Sequence, residues 1–343
     1  MIYSIIILVL FALVVLFGVK ISPKGKFYDD YLGMDESNQI RAVMALAILI
    51  AHFSYPFENK YLLGIISPFA YIFVGAFLFY TGYGLLYSFY SKDNYLKGFL
   101  KKRLFSILFP FYIIVGIDSV YNAVVNGENY DFSYIFISLY NNWYVLIITV
   151  TYIIFFVCFK LKFKNKNTNE ALFAVLFTIA SILLSVLTKQ GYYVYSMLSL
   201  PLGMIWYHKK DSIQRVIRQK WFFAIAACFV FLLGCVALRY IAGNKGLLFV
   251  EALSLIASTP IFTVIIFILL NKVKIKNRAL NFVGNISYEV YLCHRFIMNA
   301  LLDYEKISSN MLLYFFAVIT ITIAISVIVH FVNVKMSKVL RIK

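Results

Sequence analysis

Residues 39–57 read QIRAVMALAILIAHFSYPF, an apolar run with Arg41 near its start and His52 well inside it. An α-helix turns ~100° and rises ~1.5 Å per residue, so the two side chains lie within about 20° of one face and about 16 Å apart along the axis. That rise is about half of a ~30 Å hydrocarbon core. If Arg41 lies at one membrane surface, His52 lies near the midplane, where an ionisable group is costly and usually functional. The alternative is a histidine that is satisfied within the core or faces a wet cavity.

The composition of the chain is that of a membrane protein. Of its 343 residues, 62% are hydrophobic and 14% are charged, whereas soluble domains are about 45–50% apolar and ~25% charged. The mean hydropathy is +0.84. The net charge of +17 does not indicate nucleic-acid binding, because no soluble segment is large enough to carry a basic binding face. The positive-inside rule accounts for this charge instead.

The cysteines lie in apolar stretches and lack the spacing of zinc ligands or of a redox motif. We therefore expect buried thiols, with neither a disulfide nor a metal site. The four are Cys158, Cys228, Cys235 and Cys293.

Eleven apolar spans with short connections predict an all-α polytopic membrane protein. The spans are 2–19, 40–57, 67–90, 104–126, 142–159, 171–187, 193–207, 221–240, 248–270, 284–302 and 311–333. The first has no basic n-region and no small-residue cleavage site, so we expect an anchor helix rather than a cleaved signal peptide. This helix and its loop form the expected unit 1–26, and residues 27–343 form one membrane domain without a separate soluble domain.

Basic residues concentrate in every second connection. Of the 32 lysines and arginines, 26 fall in the segments 20–41, 91–103, 160–170, 208–220, 271–278 and 335–343. Basic loops stay on the cytoplasmic side of a membrane. The alternation therefore predicts an N-terminus outside and a C-terminus in the cytoplasm.

Four stretches in order carry a family resemblance. They are the run from Arg41 to His52, AFLFYTGYGLL at 76–86, FLKKRLFSILFPFY at 99–112 and NISYEVYLCH at 285–294. Together they resemble the acyltransferase family 3 proteins, which are integral-membrane O-acyltransferases. Two departures stand out: Ser106 occupies the place of a second basic residue in the third stretch, and the N-terminal span adds one helix to the usual ten.

The resemblance assigns roles to the first and third stretches. His52 is expected to be the base that removes a proton from an attacking hydroxyl, or to carry the acyl group briefly itself. Acetyl-CoA is the expected acyl donor. Arg41, Arg103, Lys101 and Lys102 are expected to hold its phosphates on the cytoplasmic side, since arginine binds phosphate bidentately. The alternative for these cations is ordinary positive-inside charge.

The last stretch places three polar side chains on one helical stripe. Ser287, Tyr291 and His294 stand at i, i+4 and i+7, and His294 lies ~15 Å from the cytoplasmic end of its span. This depth matches that of His52, so both histidines could face one cavity. Tyr291 is a candidate to stabilise the oxyanion, and His294 is a second catalytic candidate. A structural polar cluster is the alternative.

The other ionisable residues of the spans have no fixed role at this stage. Asp118 could orient His52 or pair with Arg295, and Glu289 needs a partner on another helix or a wet cavity. Glu58 and the outer loop 127–140 could contact an acceptor, although solvated loop residues are the simpler interpretation.

The sequence thus predicts a bacterial plasma-membrane O-acyltransferase, with O-acetyl transfer first among the options. It would move the acyl group from cytoplasmic acyl-CoA to a hydroxyl of a cell-surface polysaccharide or lipid-linked glycan, within the lipid bilayer and alongside glycan-synthesis or export proteins. A transporter or flippase for a glycan intermediate is the alternative, since ionisable residues at the midplane suit that role as well.

Overall fold

The computed structural model describes residues 2–53, 61–128, 133–161 and 166–342, and most of them are helical. The helices are α1 Ile2–Leu16, α2 Met34–Phe53, α3 Tyr61–Ile66, α4 Ala70–Ser91, α5 Phe99–Val125, α6 Ser133–Asn141, α7 Trp143–Lys160, α8 Lys166–Thr188, α9 Tyr192–Tyr195, α10 Ser199–Gln219, α11 Trp221–Asn244, α12 Leu248–Leu270, α13 Arg278–Asn285, α14 Ser287–Leu302, α15 Glu305–Ser308 and α16 Met311–Val339. Two short strands, β1 Val19–Ile21 and β2 Val273–Ile275, complete the regular structure together with a 3₁₀ turn at Ser67–Phe69. The all-α expectation is confirmed.

Several helices are suited to a bilayer. Within the described residues, seven are long and apolar enough to cross a membrane, namely α4 with its preceding turn, α5, α7, α8, α11, α12 and α16. Helix α1 is apolar but has only 15 residues. Helix α11 is apolar yet largely exposed, as expected for a lipid-facing helix, because Cys235 and Ala242 are the only two of its residues buried within the part that the structure describes. The chain is therefore a multi-pass membrane protein, and the count of eleven spans stays a prediction.

Two predicted spans are interrupted in the structure. The span 193–207 is divided between α9 and α10, and α10 continues to Gln219 through residues that were expected to form a connection. The span 284–302 breaks at Ile286, whose backbone N–H bonds to Val283 and Gly284 instead of continuing the helix. As a result α14 begins at Ser287, and the polar stripe of the fourth motif starts at a helix end.

Glycines allow the central helices to pack with their backbones in direct contact. A Cβ at Gly82 of α4 would overlap the carbonyl oxygen of Leu200, and one at Gly203 of α10 would overlap that of Phe79. Between α13 and α2, a Cβ at Gly284 would overlap the Asn38 carbonyl. Side chains larger than hydrogen at these sites would force the helices apart, so the glycines fix how α4, α10, α13 and α2 are seated.

Helix α2 occupies the centre of the bundle. It packs on α4, α13 and α14, and all residues from Ala42 to Phe53 except Leu46 and His52 are buried. This part of the apolar run therefore belongs to the protein core and does not face lipid. Its two ends bring Arg41 and His52 into the interior of the protein.

The N-terminal helix is tied to the rest of the chain by a small ribbon. Strand β1 pairs antiparallel with β2, with Lys20 opposite Lys274. The side-chain amide of Asn277 donates to the Val14 carbonyl at 2.8 Å, and its backbone N–H donates to the Gln39 side chain at 2.9 Å. Asn277 thus connects α1, α2 and the start of α13.

Candidate active site

A cavity of about 710 Å³ lies between α2, α4, α5, α7, α10 and α14. Its mouth is marked by the exposed residues Met34 and Tyr87, with Asp30 and Lys210 beside them. Its inner end is marked by the buried residues Tyr144, Ile148 and Ser287. The cavity therefore leads from the surface at the start of α2 into the centre of the bundle.

Arg41 lines this cavity and is held by neighbours on α2. Its Nη2 donates to the Asn38 side-chain oxygen, and its Nε donates to the Ser37 carbonyl at 3.3 Å. The Asn38 amide in turn donates to the side-chain oxygen of Asn285 at 2.9 Å. A chain of hydrogen bonds thus joins the first motif, at Arg41, to the first residue of the fourth motif.

Arg103 lines the same cavity from α5. It donates to the Tyr95 hydroxyl at 2.7 Å, and its guanidinium carbon lies 5.5 Å from the ring centroid of Tyr152 and 5.8 Å from that of Phe99. Among the described residues, no carboxylate lies within salt-bridge distance of Arg41 or of Arg103. Two half-buried guanidinium groups that lack a carboxylate partner among the described residues can bind an anion, because a buried charge is costly unless it is paired.

The inner end of the cavity adjoins the two histidines. Tyr291 lines the cavity, and its ring centroid lies 5.8 Å from that of His294. The His294 and His52 rings stack at 5.3 Å with an interplanar angle of 25°. The structure thus brings together His52, His294 and Tyr291, on the far side of the arginines from the mouth.

The tautomer of His294 follows from its hydrogen bonding. Its Nδ1 lies 2.6 Å from the carbonyl oxygen of Tyr291. A carbonyl only accepts, so Nδ1 carries the proton and, in the neutral ring, Nε2 carries a lone pair. Nε2 is buried and makes no hydrogen bond to the described residues. His294 is therefore oriented to accept a proton at Nε2.

The remaining residues named from the sequence lie elsewhere. Lys101 and Lys102 are exposed and do not line the cavity. Asp118 accepts from Asn122 at 3.1 Å and from the Tyr134 hydroxyl at 2.9 Å. These contacts, rather than His52 or Arg295, satisfy its two oxygens.

Glu289 and Arg295 have different surroundings although they share α14. Glu289 is 3% exposed, and its carboxylate meets Nδ1 of His330 on α16 at 2.9 Å. Arg295 is exposed, and no carboxylate of the described residues lies within salt-bridge distance of it. Glu58 lies outside the described residues, as does Asp131 of the outer loop.

Charge at the mouth is balanced on one side. Lys274 hydrogen-bonds to Asp30 and lies 3.3 Å from Glu36. The hydrogen bond from Lys274 holds the pKa of Asp30 below its ordinary value of 3.8. The bond to Asp30 is also the main reason that the pKa of Lys274 rises above 10.5. Asp30, the acidic residue that lines the cavity, is thus neutralised and does not repel an anion.

Several residues that line the cavity were not identified from the sequence. Most are tyrosines for which the sequence had indicated no role at the site. They are Tyr80, Tyr83, Tyr87, Tyr144, Tyr152 and Tyr288, with Lys210 as an additional cation. The hydroxyl of Tyr80 is buried without a hydrogen bond to the described residues. The spacing of three and then four residues from Tyr80 through Tyr83 to Tyr87 was the available signal, but one sequence does not show which face of α4 meets the cavity.

The arrangement suits the transfer of a group carried by an anion. An open mouth, two guanidinium groups that can bind negative charge, and a histidine pair next to Tyr291 that can exchange a proton are the parts that such a transfer requires. Within the described residues, no cluster of three or more histidine, cysteine or carboxylate side chains has the geometry to hold a metal ion.

Comparison with known proteins gives one match. A family model described as an acyltransferase domain (Acyl_transf_3) matches residues 34–331. No curated protein and no solved structure matches the chain. The matched range begins with α2 and includes Arg41, Arg103 and both stacked histidines.

Proposed function

Because the chain belongs to this family of membrane acyltransferases, we propose that it moves an acetyl group from cytoplasmic acetyl-CoA to a hydroxyl of a cell-surface or lipid-linked glycan. The observation that carries this proposal is the cavity itself. It leads from an open mouth, past two arginines without a carboxylate partner among the described residues, to Tyr291, whose ring lies 5.8 Å from that of His294 in the stacked histidine pair. The family match favours acyl transfer over transport of a glycan intermediate.

The donor is proposed to enter through the mouth with its phosphates at Arg41 and Arg103. A guanidinium binds two phosphate oxygens at once and remains charged when half-buried. The pantetheine arm then extends toward Tyr291, and the thioester carbonyl comes to rest beside the histidine pair. Lys101 and Lys102 would act only by attracting the donor to this side of the membrane, since they do not line the cavity.

Transfer to the acceptor is a substitution at the thioester carbonyl. The acceptor oxygen attacks the carbonyl carbon while a neutral histidine takes the hydroxyl proton. A carbon–oxygen bond forms, the carbon–sulfur bond breaks, and coenzyme A leaves as a thiolate that takes up the proton. Nε2 of His294 has the lone pair for this step, and His52, stacked on it, is the other candidate base or a transient acyl carrier. Tyr291 is the proposed hydrogen-bond donor to the oxyanion.

The topology proposed for this activity has eleven spans, with the N-terminus outside and the C-terminus in the cytoplasm of a bacterial plasma membrane. The charge distribution supports it, since the cavity is lined by Arg103 and Lys210, which belong to segments of the predicted cytoplasmic set. Glycan-synthesis or export proteins would supply or receive the acceptor. Single cysteines introduced at Lys97 and Lys245 into a variant without native cysteines test the orientation. A membrane-impermeant thiol reagent should label the second but not the first in intact cells.

The direct test uses the purified protein in nanodiscs with acetyl-CoA, measuring release of free coenzyme A with and without a glycan extract of the host membrane. Release that depends on the glycan, with an O-acetyl group recovered on the glycan, is the expected result. His52→Ala and His294→Ala should abolish it while the protein stays folded. A folded wild-type protein that neither binds acetyl-CoA nor releases coenzyme A would overturn the proposal.

A further inference from the structure

The mouth of the cavity carries a row of parallel aromatic rings on α4. Phe79 and Tyr83 have ring centroids 6.5 Å apart and planes within 7° of each other. Tyr83 and Tyr87 repeat this arrangement at 6.3 Å and 9°. The spacing of four residues places the three rings on one face of the helix. Tyr83 and Tyr87, the outer two, line the cavity.

The simplest structural role for a surface tyrosine does not explain this pair. Tyrosines at the ends of spans usually anchor a helix in the headgroup region, and such residues face lipid rather than a cavity. The neighbouring Tyr90 has a structural partner, since its hydroxyl donates to Glu170 at 2.5 Å. Tyr87, by contrast, is 53% exposed at the open end of the cavity. A flat molecule entering the cavity would meet these rings first.

A cation stands beside the rings. Lys210 of α10 lines the same cavity, and its Nζ lies 5.8 Å from the centroid of Tyr31. No carboxylate of the described residues is within salt-bridge distance of Lys210, whereas Asp30 across the mouth is already bonded to Lys274. The mouth therefore offers two aromatic faces and one uncompensated positive charge.

We propose that the mouth is a nucleotide subsite, in which Tyr83 and Tyr87 stack on a purine base and Lys210 contacts the phosphate on its ribose. This inference rests on the proposed function and specifies how the donor is held. Aromatic side chains bind a base through its π face, and lysine binds phosphate as a point charge. The order along the cavity is then base at the rings, diphosphate at the arginines and thioester at the histidines, which matches the order of these groups in acetyl-CoA.

The ring contribution is tested with a donor that lacks the nucleotide. Acetyl-4′-phosphopantetheine keeps the thioester and the arm but has no adenosine. In the wild-type protein the KM for acetyl-CoA should be at least tenfold lower than that for the truncated donor. In the variant Tyr83→Leu/Tyr87→Leu, the KM for acetyl-CoA should rise roughly tenfold with kcat retained, and the KM for the truncated donor should not change. Tyr83→Phe/Tyr87→Phe, which keeps both rings, should restore the low KM.

The lysine contribution is tested with acetyl-3′-dephospho-CoA, which lacks only the ribose phosphate. Lys210→Gln should raise the KM for acetyl-CoA and leave that for the dephospho donor unchanged, so that the two donors become equivalent. The matched control is Lys209→Gln, an exposed neighbour that does not line the cavity. Tyr240→Leu, at a tyrosine that is 73% exposed on α11, is the corresponding control for the rings.

The outcomes separate this inference from the function on which it rests. Equal KM values for the complete and truncated donors in the wild-type protein would overturn the nucleotide subsite and leave acyl transfer intact. The same conclusion follows if the leucine variant raises the KM for both donors equally, because the rings would then have a structural role. Absence of turnover with every donor in a folded protein would instead overturn the proposed function itself.

Discussion

His52 and His294 stack with their ring centroids 5.3 Å apart, although one lies on the second helix and the other on the fourteenth. At this distance two imidazolium charges would repel each other strongly in a site that excludes water. The pair therefore carries at most one positive charge at low cost. Since the Tyr291 carbonyl fixes the proton of neutral His294 on Nδ1, Nε2 of His294 is the ring nitrogen with a lone pair that can accept a proton.

The first prediction concerns the two histidines. His52→Ala and His294→Ala should each lower kcat by about 10²- to 10⁴-fold, the usual contribution of a general base. Donor affinity should change little, because in the proposed arrangement the arginines and not the histidines hold the phosphates. Coenzyme A release gives kcat, and equilibrium binding of acetyl-CoA gives the affinity.

The double variant and a histidine elsewhere complete this experiment. Removing both rings should lower kcat about as much as the more damaging single substitution does, since the effects of residues that act as one unit are not additive. His208→Gln is the control, because His208 is bonded to Glu170 at 2.6 Å and does not line the cavity. If both single variants kept wild-type kcat, the pair would have no role in the chemistry.

The second prediction concerns the two arginines. Arg41→Gln and Arg103→Gln should each raise the KM for acetyl-CoA by about 10- to 100-fold, since a hydrogen bond to a charged group contributes about 1.5–3 kcal/mol. Arg215→Gln, which removes an exposed charge from α10, should leave KM within about twofold. Steady-state kinetics at constant ionic strength provide the comparison. An equal effect of all three substitutions would mean that overall charge, and not the cavity, attracts the donor.

Part of the geometry of this candidate site could be predicted from the sequence because it depends only on local helix geometry. The 100° period of a helix placed Arg41 and His52 on one face, and the depth of His294 matched that of His52. The structure places Arg41 and Arg103 along one cavity and stacks the two histidines next to Tyr291, which lines it. The shared face of Arg41 and His52 and the matched depths of the histidines require only that each segment be helical.

The partners across helices were beyond the sequence because they depend on packing. Lys210 falls in a segment that was predicted as a connection, and α10 extends through it. Glu289 finds its partner in His330, which no motif had singled out. Tyr144 and Tyr152 reach the cavity only because α7 is seated beside α5 and α14. Nothing in one sequence states which helices are neighbours.

The third prediction tests the close contact at Gly82, through which α4 packs against α10. Gly82→Ala should destabilise the protein by about 1–3 kcal/mol, because the new methyl group would overlap the Leu200 carbonyl and force α4 away from α10. Gly84→Ala, two residues further along the same helix, meets open space and should leave stability unchanged or slightly raised. Thermal unfolding in detergent provides the measurement. Equal melting temperatures for the two variants would show that the helices are not in contact at Gly82.

The fourth prediction concerns the pH dependence of the ion pair at the cavity mouth. The folded-state pKa of Asp30 lies below its ordinary value of 3.8 because Lys274 hydrogen-bonds to it. A carboxyl group with a depressed pKa stabilises the fold above its unfolded pKa, and this contribution is lost as the pH falls through the lower folded value. Lys274, whose pKa is raised above 10.5, behaves in the opposite sense. Its contribution is complete below 10.5 and is lost as the pH rises through the folded value.

Asp30→Asn should therefore be less stable than the wild type at pH 7, and the difference should shrink as the pH falls below 3.8 and be lost once the pH is below the folded-state pKa of Asp30. The difference should stay below about 1 kcal/mol, since Asp30 is 57% exposed and solvent screens the pair. In Lys274→Gln the stability that the wild type loses when Asp30 is protonated should already be missing at pH 7, although this substitution also removes the contact with Glu36. Melting temperatures of the three proteins between pH 3 and pH 7 test whether this ion pair stabilises the fold. A constant difference between Asp30→Asn and the wild type over that range would mean that the pair does not stabilise the mouth through charge.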